Sequence, residues 1–478
     1  MNTTVVSALI AKLTAGCGLV LLLPLLTALF GEEPVLPFIY SMALCFLLSA
    51  FLRYKGKKKV INLNPRDGLA VTALSWICIS ILYLFPYFLS GLLSPLDALV
   101  ESISGLTGTG ATVFADLTVL PKSILFFRSL THWLGGLGII VIFVALFPQA
   151  GKGSARMIDA ESTGPYSSRA VPRIKEMAKA LFAVYLLFTV SAALIYTLLG
   201  MNFFDAVNHA FSTIATGGFS TKNESDSTPL KLSVIFFMVI SSANFGIYVA
   251  AWKRGIRVLW ENTEFKVYLS IVAAATILIS LNLMLESGLY APSALLEALF
   301  TSASLSSTTG FISYDFEAWP HFSQVILLIL MFIGGCGGST SGGLKVTRII
   351  LLFKSMTAVL RQKLHPRAVI QTRAGGENFS ESMLLEVFCF FFIYTMSIFL
   401  WTALIAASGA DIPSALGLSI ATMSNSGPAL GQFGATCNWS AMPAMTKMVV
   451  ALSMLMGRLE SFTLLILFLP SFWRKNGW

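Results

Sequence analysis

The chain has 478 residues, of which 56% are hydrophobic and 12% charged, and its mean hydropathy is +0.78. Ordinary soluble domains carry about 25% charged residues, so this composition describes a membrane protein and leaves no long stretch free of apolar runs for a nucleotide-binding fold. The net charge of +9 would suggest nucleic acid in a soluble chain, but the bases are spread over short loops between apolar runs, which favours topology signals and contact with anionic membrane lipids.

A membrane-crossing helix needs about 20 mostly apolar residues. In chain order such runs fall at 5–30, 35–52, 68–93, 122–148, 176–200, 230–252, 266–288, 321–355, 382–408 and 443–471, ten in all. The first two, separated by Gly31-Glu32-Glu33-Pro34, read as a helical hairpin. The N-terminus lacks a signal peptide's charged region and cleavage site and is expected to be retained. Of the 32 Lys and Arg, 25 fall in the segments 53–66, 152–179, 253–266, 345–373 and 474–475. By the positive-inside rule these are cytoplasmic, as are both termini. The alternating loops hold most of the acids, among them Glu32, Glu33, Asp97, Glu101, Asp116, Asp205, Asp315, Glu317 and Asp411, so the outer face is acidic. The six cysteines are scattered without a CxxC or Cys/His cluster and read as small buried hydrophobes, with no disulfide and no zinc expected.

Four outer loops align without gaps: DALVESISGLTGTGA from Asp97, DAVNHAFSTIATGGF from Asp205, EALFTSASLSSTTGF from Glu297 and SALGLSIATMSNSGP from Ser414. Alanine is second and glycine fourteenth in each, and the shared glycines Gly110, Gly218, Gly310 and Gly427 lie 108, 92 and 117 residues apart. Each copy opens with Asp, Glu or Ser, as an N-cap or first-turn residue would. It then runs for about two to three helical turns before a Ser/Thr/Gly cluster stops it. The unit is a half-length helix descending into the membrane, with an extended return, between two spans. Non-helical backbone at membrane depth survives only where protein buries it or it lines a water-filled cavity, so four such loops around one axis make a pore. Glycine admits the backbone angles that stack carbonyl oxygens towards the axis, where rings of four can replace a cation's hydration shell. The negative ends of the half-helices and the acidic mouth add attraction for cations.

The chain therefore divides into a hairpin, 1–60, and four pore repeats, 61–150, 151–255, 256–375 and 376–478. The run at 321–355 is too long for one plain helix and is broken by GGCGGSTSGG, Gly334 to Gly343, because glycine costs about 1 kcal/mol relative to alanine in a helix. It is not a phosphate-binding loop, since Leu344 separates Gly343 from Lys345. Arg458 lies in the last span, where an ionisable group needs a partner or water. Glu460, two residues on, does not share its helix face and is expected to snorkel or pair elsewhere. Arg128 and His132, one turn apart near a helix start, are expected to snorkel, and His209 in a pore helix to be a packing contact.

The four loops, the run His132-Trp133-Leu134-Gly135-Gly136-Leu137-Gly138, the segment Gly334 to Lys345 and Asn425-Ser426-Gly427-Pro428 resemble the Trk/Ktr/HKT superfamily of potassium transporters over nearly the whole chain. The extra N-terminal hairpin is similar to its TrkH branch, and residues 1–60 are expected to be peripheral to conduction. The resemblance implies an all-α polytopic fold of ten transmembrane helices and four re-entrant pore helices around one ion pore. It implies a selectivity filter formed by Gly108, Thr109 and Gly110, by Thr216, Gly217 and Gly218, by Thr308, Thr309 and Gly310, and by Asn425, Ser426 and Gly427. All-glycine filters go with potassium in that family, whereas serine in the first repeat goes with sodium. No copy reads Thr-Val-Gly-Tyr-Gly, so modest selectivity over sodium is expected. The resemblance further implies an intramembrane gate made of Gly334, Gly335, Gly337, Gly338, Ser339, Thr340, Ser341, Gly342, Gly343 and Lys345, with Arg458 beside it opposing cation passage.

It also implies a homodimer in a bacterial-type cytoplasmic (inner) membrane and a TrkA-type cytosolic ring of RCK domains. Any nucleotide, ATP/ADP or NAD, is expected on that partner, with no cofactor in this chain and K+ as the transported ion. The rival reading is a secondary transporter coupling potassium uptake to protons or sodium. It wants an ionisable relay deep in the spans, where the sequence offers essentially Arg458 and Glu460. With no HExxH, no nucleophile elbow and no acid cluster within the spans, no enzyme is expected.

Overall fold

The computed structural model describes residues 3–56, 65–136, 138, 171–221, 227–366, 373–374, 377–434 and 437–473. Their regular structure is helical apart from one antiparallel ladder, Arg373–Ala374 against Glu377–Asn378. The distal part of the 122–148 run, the basic stretch 152–170, residues 367–372 and Arg474 and Lys475 lie outside the described residues.

Six predicted runs appear as helices long and apolar enough to cross a membrane: Thr3–Phe30, Leu36–Lys55, Arg66–Leu89, Glu176–Leu198, Thr263–Glu286 and Glu381–Ala406. Their outward faces are apolar, as with Leu186, Leu187, Val190 and Leu194 on the fourth and Phe388, Phe392 and Phe399 on the sixth. That distribution suits hydrocarbon as solvent and would be costly in water. The first two form the hairpin, locked by small residues: Gly18 packs on Cys45 and Phe46, and Ser49 Oγ donates to Ala11 O at 2.6 Å. The hairpin's turn also serves the first repeat, because Glu33 accepts the N–H groups of Lys122 and Ser123 at 2.7 and 2.9 Å and so caps the helix Lys122–Gly136.

Three of the runs after the pore loops depart from the expectation of unbroken spans, at more than the predicted glycine segment. The run at 230–252 is two helices, Thr228–Ser241 and Phe245–Arg254, bent by 90°. Neither glycine nor proline marks the break; Asn244 makes it by capping the second helix through Gly246 N–H at 2.8 Å. The last run is Ala444–Arg458 followed by Phe462–Leu467. Between them Glu460 and Ser461 adopt φ of 53° and 44°, and Ser461 N–H reaches back to Met456 O at 2.9 Å. The run at 321–355 breaks as expected into His321–Ile333 and Val346–Leu364.

The pore helices Pro95–Thr107, Phe203–Ile214, Ala291–Ser306 and Ile412–Ser424 occupy the centre and are buried along most of their length. They begin earlier than the aligned pattern, at the caps Ser94, Asn202, Tyr290 and Asp411, so Glu297 lies well inside its helix. Several of their hydroxyls are satisfied within the helix, Thr107 on Ile103 O, Thr213 on His209 O and Thr422 on Leu418 O at 2.7–2.8 Å, and others reach the return strand, Ser104 on Ala111 O and Ser304 on Phe311 O at 2.6 and 2.7 Å. A polar helix can therefore be buried with few orphaned groups, Ser302 Oγ and Asn208 Oδ1 being the exceptions among the described residues of these helices.

Candidate functional site

All four pore helices close with the same motif. At the twelfth position of each repeat, Gly108, Thr216, Thr308 and Asn425 have φ of 71°, 53°, 57° and 54°. Their N–H groups reach back three residues, to Gly105, Thr213, Leu305 and Thr422 O. The following N–H groups, of Thr109, Gly217, Thr309 and Ser426, reach back five, to Ser104, Ser212, Ser304 and Ala421 O at 2.8–3.0 Å. This is a Schellman close, which satisfies carbonyls that the helix end would orphan. A non-glycine residue held there costs on the order of 1–3 kcal/mol, and Thr216 and Thr308, being β-branched, are the most strained.

Two positions on, Gly110, Gly218, Gly310 and Gly427 share φ of 78°, 85°, 78° and 87°. A Cβ on Gly110 would collide with Gly217 O, on Gly218 with Thr309 O, on Gly310 with Ser426 O, and on Gly427 with Thr109 O. The contacts pass from each repeat to the next and return to the first, so the glycines and the thirteenth-position carbonyls close a ring. Backbone conformation and space both admit glycine alone. The twelve residues from Gly108 to Gly110, Thr216 to Gly218, Thr308 to Gly310 and Asn425 to Gly427 are thus brought together. Asn425 Nδ2 ties the fourth strand to the first by donating to Thr109 Oγ1 at 3.0 Å.

Sequence reasoning missed the frame around this ring. Arg128 does not snorkel: it is 1% exposed and its Nε donates to Glu101 at 2.8 Å. Glu101 in turn accepts Val113 N–H at 2.9 Å and the Thr112 hydroxyl, which fixes the return strand of repeat 1. The Arg128 guanidinium lies 4.0 Å from the Phe219 ring centroid and reaches Ser220 O in repeat 2. His132 is buried too, stacked on Phe219 at 4.0 Å and filling the space that a side chain on Gly217 would need. His209 is the packing contact expected, stacked on Phe311 at 4.2 Å. Lys231 pairs with Glu297 at 2.8 Å, joining repeats 2 and 3, and Lys447 pairs with Asp97 at 2.6 Å, joining repeats 4 and 1. Repeats 3 and 4 meet where Glu317 accepts Gly431 N–H at 2.9 Å. At this outer rim burial lifts the Glu317 carboxyl above its usual range, while the Ser414 hydroxyl and N–H hold Asp411 below it.

The broken run places its loop against the inner ends of the pore helices. Leu344, Lys345 and Val346 N–H bond back to Phe332, Ile333 and Gly335 O at 3.1, 2.8 and 2.9 Å, which closes the loop's neck. Gly334 and Gly343 pass each other there with no room for side chains, and a Cβ on Gly335 would strike Ser341. Ser339 Oγ bonds Cys336 O and Ser341 Oγ, each at 2.6 Å, and Lys345 Nζ bonds Ser341 O. Outward, Thr340 Oγ1 donates to Ile214 O at 3.1 Å, and Gly342 N–H donates to Thr308 Oγ1 at 2.7 Å and has no space against Ser424 O. Gly338 O accepts Phe245 N–H and Ser242 O accepts Cys336 N–H, at 3.1 and 2.9 Å, so the unpredicted break in repeat 2 is a docking edge for the loop. Arg458 donates to Thr340 O at 3.0 Å and to Gly135 O and Gly136 O of the repeat 1 helix. The loop thus touches repeats 2, 3 and 4 directly and repeat 1 through Arg458. Gly337 N–H goes to Glu264, a partner that no sequence signal marked.

Four short buried helices closing a ring inside a jacket of apolar helices define a polytopic, all-helical membrane protein. A family model described as TrkH, a cation transport protein, matches residues 37–475, and the chain belongs to that family. The Trk system potassium uptake protein TrkH of Halomonas elongata is 37% identical over 94% of this chain and 95% of its own length. That of Escherichia coli strain K12 is 37% identical over 92% of each. The crystal structure of the potassium transporter TrkH from Vibrio parahaemolyticus superposes with a TM-score of 0.90 at 35% identity, covering 99% of this chain and all of that one.

Proposed function

We propose that this chain takes potassium ions up across the cytoplasmic membrane through the glycine ring, with the 334–345 loop as its gate. The observation that carries the reading is the closed cycle in which each fourteenth-position glycine abuts the next repeat's thirteenth-position carbonyl. Backbone oxygens in such a ring substitute for water around a cation, and the relatives named as potassium uptake proteins supply the ion. Beyond the ring the loop lies across the ends of three pore helices, and the Arg458 guanidinium beside it opposes a cation until the loop moves.

A loop fastened to all four repeats lifts rarely without an outside force, which supports control by a cytosolic partner. By the family resemblance that partner is a nucleotide-reading TrkA-type ring acting on a homodimer. The test is the reversal potential of the purified chain in liposomes under opposed potassium and sodium gradients at two pH values. A value near the potassium equilibrium potential at both is expected; one that follows the proton or sodium gradient would replace the pore with coupled transport.

A further inference from the structure

The helix that leaves the loop, Val346–Leu364, has its first turn held from two sides by carboxylates of different repeats. On one side Glu264, 8% exposed at the start of the span Thr263–Glu286, accepts with Oε1 the N–H of Gly337 at 2.6 Å, the N–H of Thr347 at 3.1 Å and the Thr347 hydroxyl. One oxygen therefore binds both the loop and the helix that follows it. On the other side Arg348 Nη2 donates to Glu460 Oε2 at 2.6 Å, with the guanidinium 3.9 Å from the Phe390 ring centroid. Glu460 sits in the left-handed break of the last span, two residues beyond Arg458. The two clamps differ in kind. The Glu264 contacts are short and buried, whereas the Arg348 and Glu460 side chains are 15% and 19% exposed, so water can take their place when they part.

We propose that Glu264 and Glu460 are positioning residues for gating. Glu264 is the fixed pivot of the exit helix, and the Glu460–Arg348 pair is the catch that separates when the loop is lifted. This rests on the reading of 334–345 as the gate. The shape of the last span supports it: Arg458 ends the helix bonded to Thr340 O, and the break directly after it aims Glu460 at Arg348, so one short stretch holds both the loop and its exit helix. Adjacent residues Thr347 and Arg348 are thereby tied to repeats 3 and 4, and the exit helix cannot swing without releasing one of them.

The experiment is single-channel recording of the purified full-length chain in planar bilayers with no partner present, comparing Glu460→Gln, Arg348→Gln and the exchanged pair Arg348→Glu with Glu460→Arg. Each single change is expected to raise open probability about tenfold, the effect of losing about 1.4 kcal/mol from the closed state. Unitary conductance and the potassium-to-sodium ratio stay unchanged, and the exchanged pair returns open probability towards its original value. Glu264→Gln, which keeps the accepting oxygen, changes little, while Glu264→Ala produces irregular openings. Arg458→Ala is recorded alongside. If it raises open probability and the Glu460 and Arg348 variants do not, the catch is refuted while the gate stands; if none of the three changes it, the gate reading fails first. A fall in conductance or a shifted ion ratio in Glu460→Gln would also refute the catch, because it would place Glu460 on the ion path.

Discussion

Replacing Gly218 with alanine separates what the ring does for ions from what it does for the fold. At φ of 85° an added side chain meets its own carbonyl, at about 1–2 kcal/mol. It also meets Thr309 O of the next repeat, which must retreat by on the order of 1 Å to restore an ordinary contact near 3.5 Å. The control is Gly200, at φ of 98° in the turn before pore helix 2, where a Cβ finds nothing within 4 Å. Gly200→Ala carries the same backbone strain without displacing a neighbour. Gly200→Ala should lose about 1–2 kcal/mol of stability and Gly218→Ala more, because Thr309 O must also move, read as earlier loss of monodisperse protein on heating in detergent. Only Gly218→Ala should also lose potassium preference, by about tenfold in the permeability ratio, which corresponds to about 1.4 kcal/mol of discrimination. The assay is the reversal potential under opposed potassium and sodium gradients. An unchanged ratio in folded Gly218→Ala, or an equal change in Gly200→Ala, would refute the reasoning.

Arg458→Ala removes a charge bound to the loop, so on the proposed gating potassium efflux from loaded vesicles should rise several-fold without a partner; equal efflux would deny the barrier. Arg128→Leu strands the Glu101 carboxylate in the interior and should cost about 3–5 kcal/mol, whereas adding Glu101→Leu should recover most of it, as thermal melts of the two variants will show. Asp411 caps pore helix 4 with its carboxyl held low by Ser414, so its contribution is present above the ordinary aspartate range and fades as pH falls through the lowered value. Asp411→Asn, which keeps the cap, should therefore lose less thermal stability than the parent between about pH 5 and pH 3, and parallel losses would count against the assignment.

The parts legible in the sequence are those written in a residue type that few environments accept. Glycine at the fourteenth position survives in all four repeats because both its φ and the neighbouring carbonyl exclude a Cβ, so alignment alone picks out Gly110, Gly218, Gly310 and Gly427. The loop at 334–343 is legible for the same reason. The breaks at Asn244 and at Glu460 were not, because each is a local cost made good by distant contacts: Asn244 lies against Gly338, and Glu460 pairs with a residue 112 positions away. The Arg128–Glu101 pair is illegible for the same reason, whereas Glu460 pairs elsewhere, as expected. Arg128 looks like a snorkelling residue until Glu101, 27 residues earlier and apparently an outer-loop acid, is seen beneath it. Glu264, Lys345, Arg348 and Glu460 likewise show that the interior holds more ionisable groups than the hydropathy pattern suggests.

The ring and its frame follow different rules. The backbone is alike in all four repeats, with the same helix close, the same left-handed pair of positions and the same carbonyl contact. The side chains that fasten each repeat to the next are different at every junction: Arg128 on Ser220 O, Lys231 on Glu297, Glu317 on Gly431 N–H, and Lys447 on Asp97. An ion in such a ring interacts with backbone oxygens, so near-symmetry is required of the backbone alone, and each junction is free to use any partner that holds the spacing. The loop proposed as the gate breaks the symmetry further, since one repeat supplies it and the others supply the surfaces it rests on. Substitutions at the junctions should accordingly act through stability, those in the ring through ion preference, and those at Arg458, Arg348 and Glu460 through the balance between closed and open. Three separable readouts on one chain are what this division of backbone and side-chain roles requires.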